Sequence, residues 1–286
     1  MIEVKEFPNR SFETQAELFK ELRENKKTLI SMKRATDKRA DSFCFYTTSN
    51  SAYKSETQKN DDPANNEMLM MDNLAVKCVI NTTNYLDSHG DVHINGIWNK
   101  SIADNNGKGF LHLQEHQREF DKIISDNATA SIQTISWNQL GLPYDGNTEA
   151  LVFDSLIQKK RNEFMLKQYA NGWVKNHSVG MRYVKIELAI NSEADYDADE
   201  KSVWDKYYPI IANKEVADER GYFWAVTEAK IIEGSAVVMG SNDATPTLPT
   251  NENKTIAVDD NTIETDVPTI DVTHQIEQLK QIINKI

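Results

Sequence analysis

Between Leu74 and about Met239 the apolar residues of this chain fall mostly into short runs with the two-residue alternation of half-buried β-strands. Residues 75–80 read as one strand, residues 131–137 as a second with clear alternation, and residues 179–188 as a third. One stretch departs from that rhythm. Over residues 150–170, Leu151, Phe153, Leu156, Ile157, Phe164 and Leu166 lie mostly along one side of a helix, and Asn171-Gly172 supplies a C-terminal stop. Residues 191–219 are acidic and contain Trp204, Tyr207 and Tyr208; they read as a part-helical surface insertion between two core strands.

The ends of the chain carry other patterns. Thr14-Gln15-Ala16-Glu17 is a capping box that opens an amphipathic helix with Leu18, Phe19 and Leu22 on one face. The basic residues that follow, Lys26, Lys27, Lys33, Arg34, Lys38 and Arg39, read as a solvated helix face. Residues 48–66 are polar and turn-rich, as in a linker. From Gly240 to about Asp266 a tract rich in Thr, Asn, Asp and Pro has no apolar period, so it is predicted to be disordered, mobile and open to proteolysis. It leads into Val272, Ile276, Leu279, Ile283 and Ile286, whose spacing alternates between four and three in a coiled-coil seam. At about two heptads this helix needs a partner to be stable in water, and a second copy of the chain could supply one.

These patterns predict an α+β fold. A helical N-terminal extension and linker span residues 1–71, and a mixed globular core runs from Leu74 to about Met239 with an insertion at about 191–219. A disordered linker follows at 246–270, then an amphipathic helix at 271–286.

Composition narrows the classes of function. With 286 residues, 39% of them hydrophobic, the chain can bury one sizeable core and still carry polar extensions. Its net charge of -12 argues against nucleic acid as the main partner, since phosphate binding needs basic surface. Cys44 and Cys78 have neither metal-ligand spacing nor the density of a disulfide scaffold, which favours a reducing compartment and two ordinary packed thiols. The first residues lack the regions of a signal peptide and no apolar run approaches membrane-spanning length, so a cytosolic protein without a membrane partner is expected.

The candidate chemistry starts at Ser178, a small hydroxyl inside the apolar run Trp173-Val174-Lys175-Asn176-His177-Ser178-Val179-Gly180-Met181. An upstream run, Phe110-Leu111-His112-Leu113-Gln114-Glu115-His116, contains two histidines, and a downstream strand, Ile231-Ile232-Glu233-Gly234-Ser235, carries a carboxylate. A nucleophile, a base and an acid to orient the base are therefore available. His177 is a poor base for Ser178, because neighbours on a strand point to opposite faces. His112 and His116 would share a face if their strand continued, so both stand as candidates for the base; Glu228 is the alternative to Glu233. Backbone donors near Val179 and Gly180, or the Arg182 side chain, could stabilise an oxyanion. A metal hydrolase is the competing reading, with His89 and His93 four apart and Asp87, Asp91, His112 or His116 as further ligands.

The order of these segments resembles the prohead (capsid maturation) proteases of tailed phages, relatives of the herpesvirus assemblins, over roughly residues 72–245. Asp87-Ser88-His89-Gly90-Asp91-Val92-His93-Ile94-Asn95-Gly96-Ile97-Trp98 is similar to the family's Asp-x-x-Gly-Asp-x-x-x-x-Gly-x-aromatic entry segment. His116-Gln117 resembles its His-Asp pair, His177-Ser178-Val179-Gly180-Met181 its Ser-Ile-Gly-Phe motif, and Glu233-Gly234-Ser235-Ala236-Val237 its Glu-Val-Ser-Leu-Val strand. Asn242-Asp243-Ala244 resembles the Ala-Asn-x-x-Ala that follows in the family. Met181 stands where the family has an aromatic residue, and Ile123-Ile124-Ser125 where it has an Ile-Gly turn.

The resemblance implies a mixed, mostly antiparallel β-barrel-like core with surrounding helices over residues 72–245 and a serine endopeptidase with Ser178 as nucleophile, His116 rather than His112 as base, and Glu233 as the third member, without cofactor or metal. It further implies cleavage of capsid or scaffold precursors, and of the chain's own tails, inside an assembling procapsid in the host cytoplasm. The C-terminal helix would then dock on the scaffold region of the capsid protein. A scaffold protein that kept the fold and lost the activity is the non-enzymatic alternative.

Overall fold

The computed structural model describes residues 1–37 and 72–249, which lie within one compact unit, Met1–Thr250. The predicted linker at 48–66, the tract beyond Pro249 and the C-terminal seam lie outside the described residues, as do Lys38, Arg39 and Cys44. At the N-terminus a two-stranded ribbon, β1 (Ile2–Glu3) and β2 (Ser11–Phe12), leads into helices α1 (Gln15–Glu24) and α2 (Lys26–Ala35). Thr14 caps α1 as its sequence implies, accepting from Glu17 N–H at 3.2 Å, while the Glu17 carboxylate accepts from Glu13 N–H at 3.0 Å.

Eight strands form the main sheet. They are β3 (Asn73–Thr82), β4 (Asp91–His93), β5 (Phe110–Gln114), β6 (Ile123–Ser136), β7 (Asn147–Gln158), β8 (Asn176–Ile190), β9 (Tyr222–Val237) and β10 (Thr247–Leu248). The ladder runs β10-β3-β7-β6-β5-β9, all antiparallel except β5 against β9. The long strand β9 has β4 and β5, both parallel, along one edge and β8, antiparallel, along the other. The remaining α-helices among the described residues are α3 (Asn99–Asn105), α4 (Lys159–Ala170), α5 (Ala198–Tyr207) and α6 (Lys214–Arg220).

The fold is thus mixed α+β with a large, mostly antiparallel sheet, and among the described residues that sheet does not close into a barrel. The barrel-like core expected from the resemblance is corrected to an open ladder. Residues 245–247, at the start of β10, are tied to residues 174–177, at the start of β8: His177 N–H donates to Thr245 O at 3.1 Å and Thr247 Oγ1 donates to Val174 O at 3.0 Å.

Four further expectations need correction. The helix predicted over residues 150–170 is a strand followed by a helix: β7 runs to Gln158 between β3 and β6, and only α4 is helical. Residues 150–153 are buried on both faces of the sheet, and this run interrupts the alternation that continues from Phe153 to Ile157, where Asp154 and Leu156 are exposed. Second, the tract predicted to be disordered from Gly240 is part of the fold as far as Leu248. Asn242, Ala244 and Thr245 are buried, and β10 pairs with β3. Polar side chains make this possible: Asn242 donates to Thr82 O and Thr82 Oγ1, and Thr245 Oγ1 donates to His177 O at 2.8 Å.

Third, the N-terminal helices are part of the core rather than an extension, since Leu18, Leu22 and Leu29 join its main apolar cluster. Two of the basic residues expected on a solvated face meet acids instead, Lys33 Nζ at 2.6 Å from buried Asp91 and Lys26 at 2.6 Å from Glu200, while Lys27 and Arg34 are exposed as expected; Arg23 of α1 also pairs with Asp197. Fourth, the 191–219 segment is helical as predicted but not confined to the surface. Trp204 and Tyr207 are buried, and the Trp204 ring packs at a tilt against Phe223 of β9 with centroids 5.1 Å apart.

Candidate active site

Strand β9 has two chemically different faces near its end. In the β8–β9 register Ser178 lies opposite Ser235 and Gly180 opposite Glu233. Directly opposed residues project to the same side of a sheet, so Ser178, Ser235 and Glu233 share one face. The intervening residues, Gly234 and Ala236, belong to the other face together with Val179, His177 and, across the opposite edge, His112.

His116 reaches the Ser178 face because β5 stops at Gln114. Glu115 (φ 46°) and His116 (φ 56°) are both left-handed, a conformation that costs a non-glycine residue roughly 1 kcal/mol. Contacts with β9 hold this turn. Glu115 N–H donates to Ala236 O at 2.9 Å, the Glu115 carboxylate accepts from Val238 N–H at 2.7 Å, and His116 N–H donates to Ser235 Oγ at 3.2 Å. The turn breaks the strand alternation, so the expectation that His112 and His116 share a face is corrected: they end on opposite faces of the sheet.

The imidazole of His116 points Nδ1 at Glu233 Oε1, 2.6 Å away. A carboxylate only accepts, which assigns the proton to Nδ1 and leaves Nε2 as the basic nitrogen. Ser235 Oγ donates to the second carboxylate oxygen, Oε2, at 2.6 Å. Glu233 is therefore gripped from both sides while 2% exposed, and His116 is 4% exposed. Nε2 is buried and has no hydrogen-bond partner among the described residues. Ser178, 7% exposed, sits on the same face one strand away, and no hydrogen bond joins its Oγ to Nε2.

Gly180 makes room for this arrangement. A Cβ added there would overlap Oε1 of Glu233, so the Ser-x-Gly spacing on β8 clears the space that the carboxylate on β9 fills. The requirement is steric, because Gly180 is not among the positive-φ residues. Ser235 is a residue of the site that the sequence motifs do not mark as chemistry. Its signal was the Glu-x-Ser alternation, which places it on the same side as Glu233.

The alternatives fall elsewhere. Both ring nitrogens of His112 are engaged on the opposite face, Nδ1 with Ser155 Oγ and Nε2 with Tyr169 OH, each at 3.0 Å. Burial, reinforced by the proximity of His177, pushes its pKa down to about 3. Glu228 sits in ion pairs with Lys185 at 2.7 Å and Lys100 at 3.3 Å, and hydrogen bonds from these two lysines lower its pKa. The Arg182 guanidinium donates to Asp37, which also binds Arg118.

The metal-hydrolase set is brought together only in part. His93 contacts Asn81 and Tyr183, His116 binds Glu233, and of that set only Asp87, His89 and Asp91 converge; there Asp91 already binds Lys33 and Tyr183. No helix among the described residues is long and apolar enough to cross a membrane. No family model, curated protein or solved structure matches the chain.

Proposed function

We propose that the chain is a serine endopeptidase in which Ser178 is the nucleophile, His116 the base and Glu233 the orienting acid. The observation that carries the reading is the 2.6 Å contact between His116 Nδ1 and Glu233 Oε1, with a free Nε2 on the face that Ser178 occupies. Nε2 takes the proton from Ser178 Oγ as Oγ bonds to the scissile carbonyl carbon, and Glu233 stabilises the imidazolium that forms. Nε2 then delivers that proton to the leaving amine. Water, deprotonated at the same nitrogen, releases the acyl group and restores Ser178. Ser235, by donating to Glu233, fixes the carboxylate without entering the proton path.

On the segment order described above, the substrate is capsid or scaffold precursor within an assembling procapsid, and the chain's own tails. The test has two arms. Intact mass after treatment with diisopropyl fluorophosphate is expected to reveal one phosphoryl adduct, formed as Ser178 Oγ displaces fluoride, and to reveal none in Ser178→Ala. Co-expression with the neighbouring capsid gene product is expected to yield truncated product with the wild type but not with Ser178→Ala. An unmodified wild type and intact capsid protein in both strains would abandon the enzyme in favour of a scaffold role.

A further inference from the structure

On the face of β9 away from Ser178, four side chains from four elements converge. Tyr169 OH from α4 lies 3.0 Å from His112 Nε2 of β5, 2.9 Å from His177 Nε2 of β8 and 3.7 Å from Cys78 Sγ of β3. One donor atom from each of Cys78, His112 and His177 lies within 4.8 Å of the others. Cys78, His112 and His177 are completely buried and Tyr169 nearly so. We propose that this cluster is a structural zinc site, with Cys78 Sγ, His112 Nε2, His177 Nε2 and Tyr169 Oη as the four ligands.

Three features support that assignment. The donor set, one thiolate and two imidazoles, is the chemistry that zinc selects, and the phenol oxygen completes four-coordination. A zinc tetrahedron with bonds of about 2.0–2.3 Å has edges of roughly 3.3–3.6 Å. The three contacts of Tyr169 already bracket those edges, and the remaining donors need only draw in from at most 4.8 Å. The second feature is outer support. His177 Nδ1 donates to Thr245 O at 2.9 Å and His112 Nδ1 contacts Ser155 Oγ at 3.0 Å, so each imidazole has its far nitrogen fixed and its Nε2 aimed inward.

Charge is the third. Binding releases the thiol proton of Cys78 and the phenol proton of Tyr169 to solvent, and the dication with two anionic ligands is then neutral, as a fully buried centre requires. No coordination position opens to solvent, so the role is structural. The ion would join β3, β5, β8 and α4 directly behind Ser178 and so fix the strand that carries the nucleophile. This inference does not depend on the protease reading.

Because the site is sealed, the metal enters as the chain folds. The full chain produced in zinc-supplemented cells is expected to carry about one zinc per chain by elemental mass spectrometry, with equal content in Ser178→Ala. Cys78→Ser and His177→Gln are expected to lose at least tenfold of that content. If these variants do not fold, the wild type decides alone: refolded with cobalt(II), it is expected to develop a thiolate-to-cobalt charge-transfer band and the intense visible bands of a tetrahedral ion. Wild type that refolds without those bands, or zinc content unchanged in folded Cys78→Ser, overturns the site and leaves a hydrogen-bonded core cluster.

Discussion

Two buried polar clusters lie back to back across strand β9, and they differ in what is left unsatisfied. On one side, His116 is held at Nδ1 by Glu233 while Nε2 lacks a partner among the described residues. On the other, His112 and His177 have partners at both nitrogens, with Tyr169 between them. Both clusters contain buried histidines and hydroxyls, so the presence of those residue types does not separate them. The free, oriented lone pair does: a base needs a nitrogen that can take a proton, and a structural group needs all its polar atoms occupied. Backbone geometry decides which histidine becomes which. His112 stays on the strand and follows its alternation to the core, whereas two left-handed residues swing His116 to the serine face.

The strongest way to break this contrast is Glu233→Gln. An amide can present its NH2 to Nδ1 and favour the wrong tautomer, so peptide cleavage is expected to fall roughly 10,000-fold. Retention of activity within tenfold would remove Glu233 from the machinery. Next in size is Gly180→Ala, whose methyl must displace the Glu233 carboxylate. A rate loss of about 100-fold or more is expected at saturating substrate, as for a displacement near 1 Å; an unchanged rate would show that the carboxylate can relocate.

The opposite face is expected to respond in stability rather than in rate. Burial holds His112 at about 3 and His177 at about 4, below the ordinary value of 6.5. Both therefore remain neutral in the folded chain at pH values where the unfolded chain takes up protons. Stability is expected to be level above about pH 6.5 and to fall as pH drops towards 4 and 3, by about 1.4 kcal/mol per pH unit for each such proton. Urea melts from pH 7 to 4, on protein unfolded and refolded in the presence of chelator, measure the slope. In His112→Gln the slope should flatten while activity per folded molecule persists.

Smaller effects sharpen the same boundary. Ser235→Ala removes one donor to Glu233 and is expected to reduce turnover about tenfold with little change in KM, the size of one hydrogen bond to a charged group. Glu228→Gln, in surface ion pairs with Lys100 and Lys185, is expected to leave both cleavage rate and melting temperature unchanged. A large rate loss there would reopen the choice of acid.

Several features of the molecule were legible in the order of residues alone, because they depend on neighbours in sequence. The Thr14 cap, the buried face of α1, and the strands around Ala75, Ile132 and Val179 follow from local pattern. The candidate residues Ser178, His116 and Glu233 were named from motif order, and their types limit what they can do. Tertiary structure alone decided the remainder. It made residues 147–158 a strand by supplying partners on both edges, and it drew residues 241–248 into the fold through polar side chains that composition marks as disordered. It also divided four histidine, cysteine and tyrosine side chains from the Ser178 face. Which side of a sheet a residue occupies depends on register and on where a strand ends, and both are set by contacts between segments far apart in the chain.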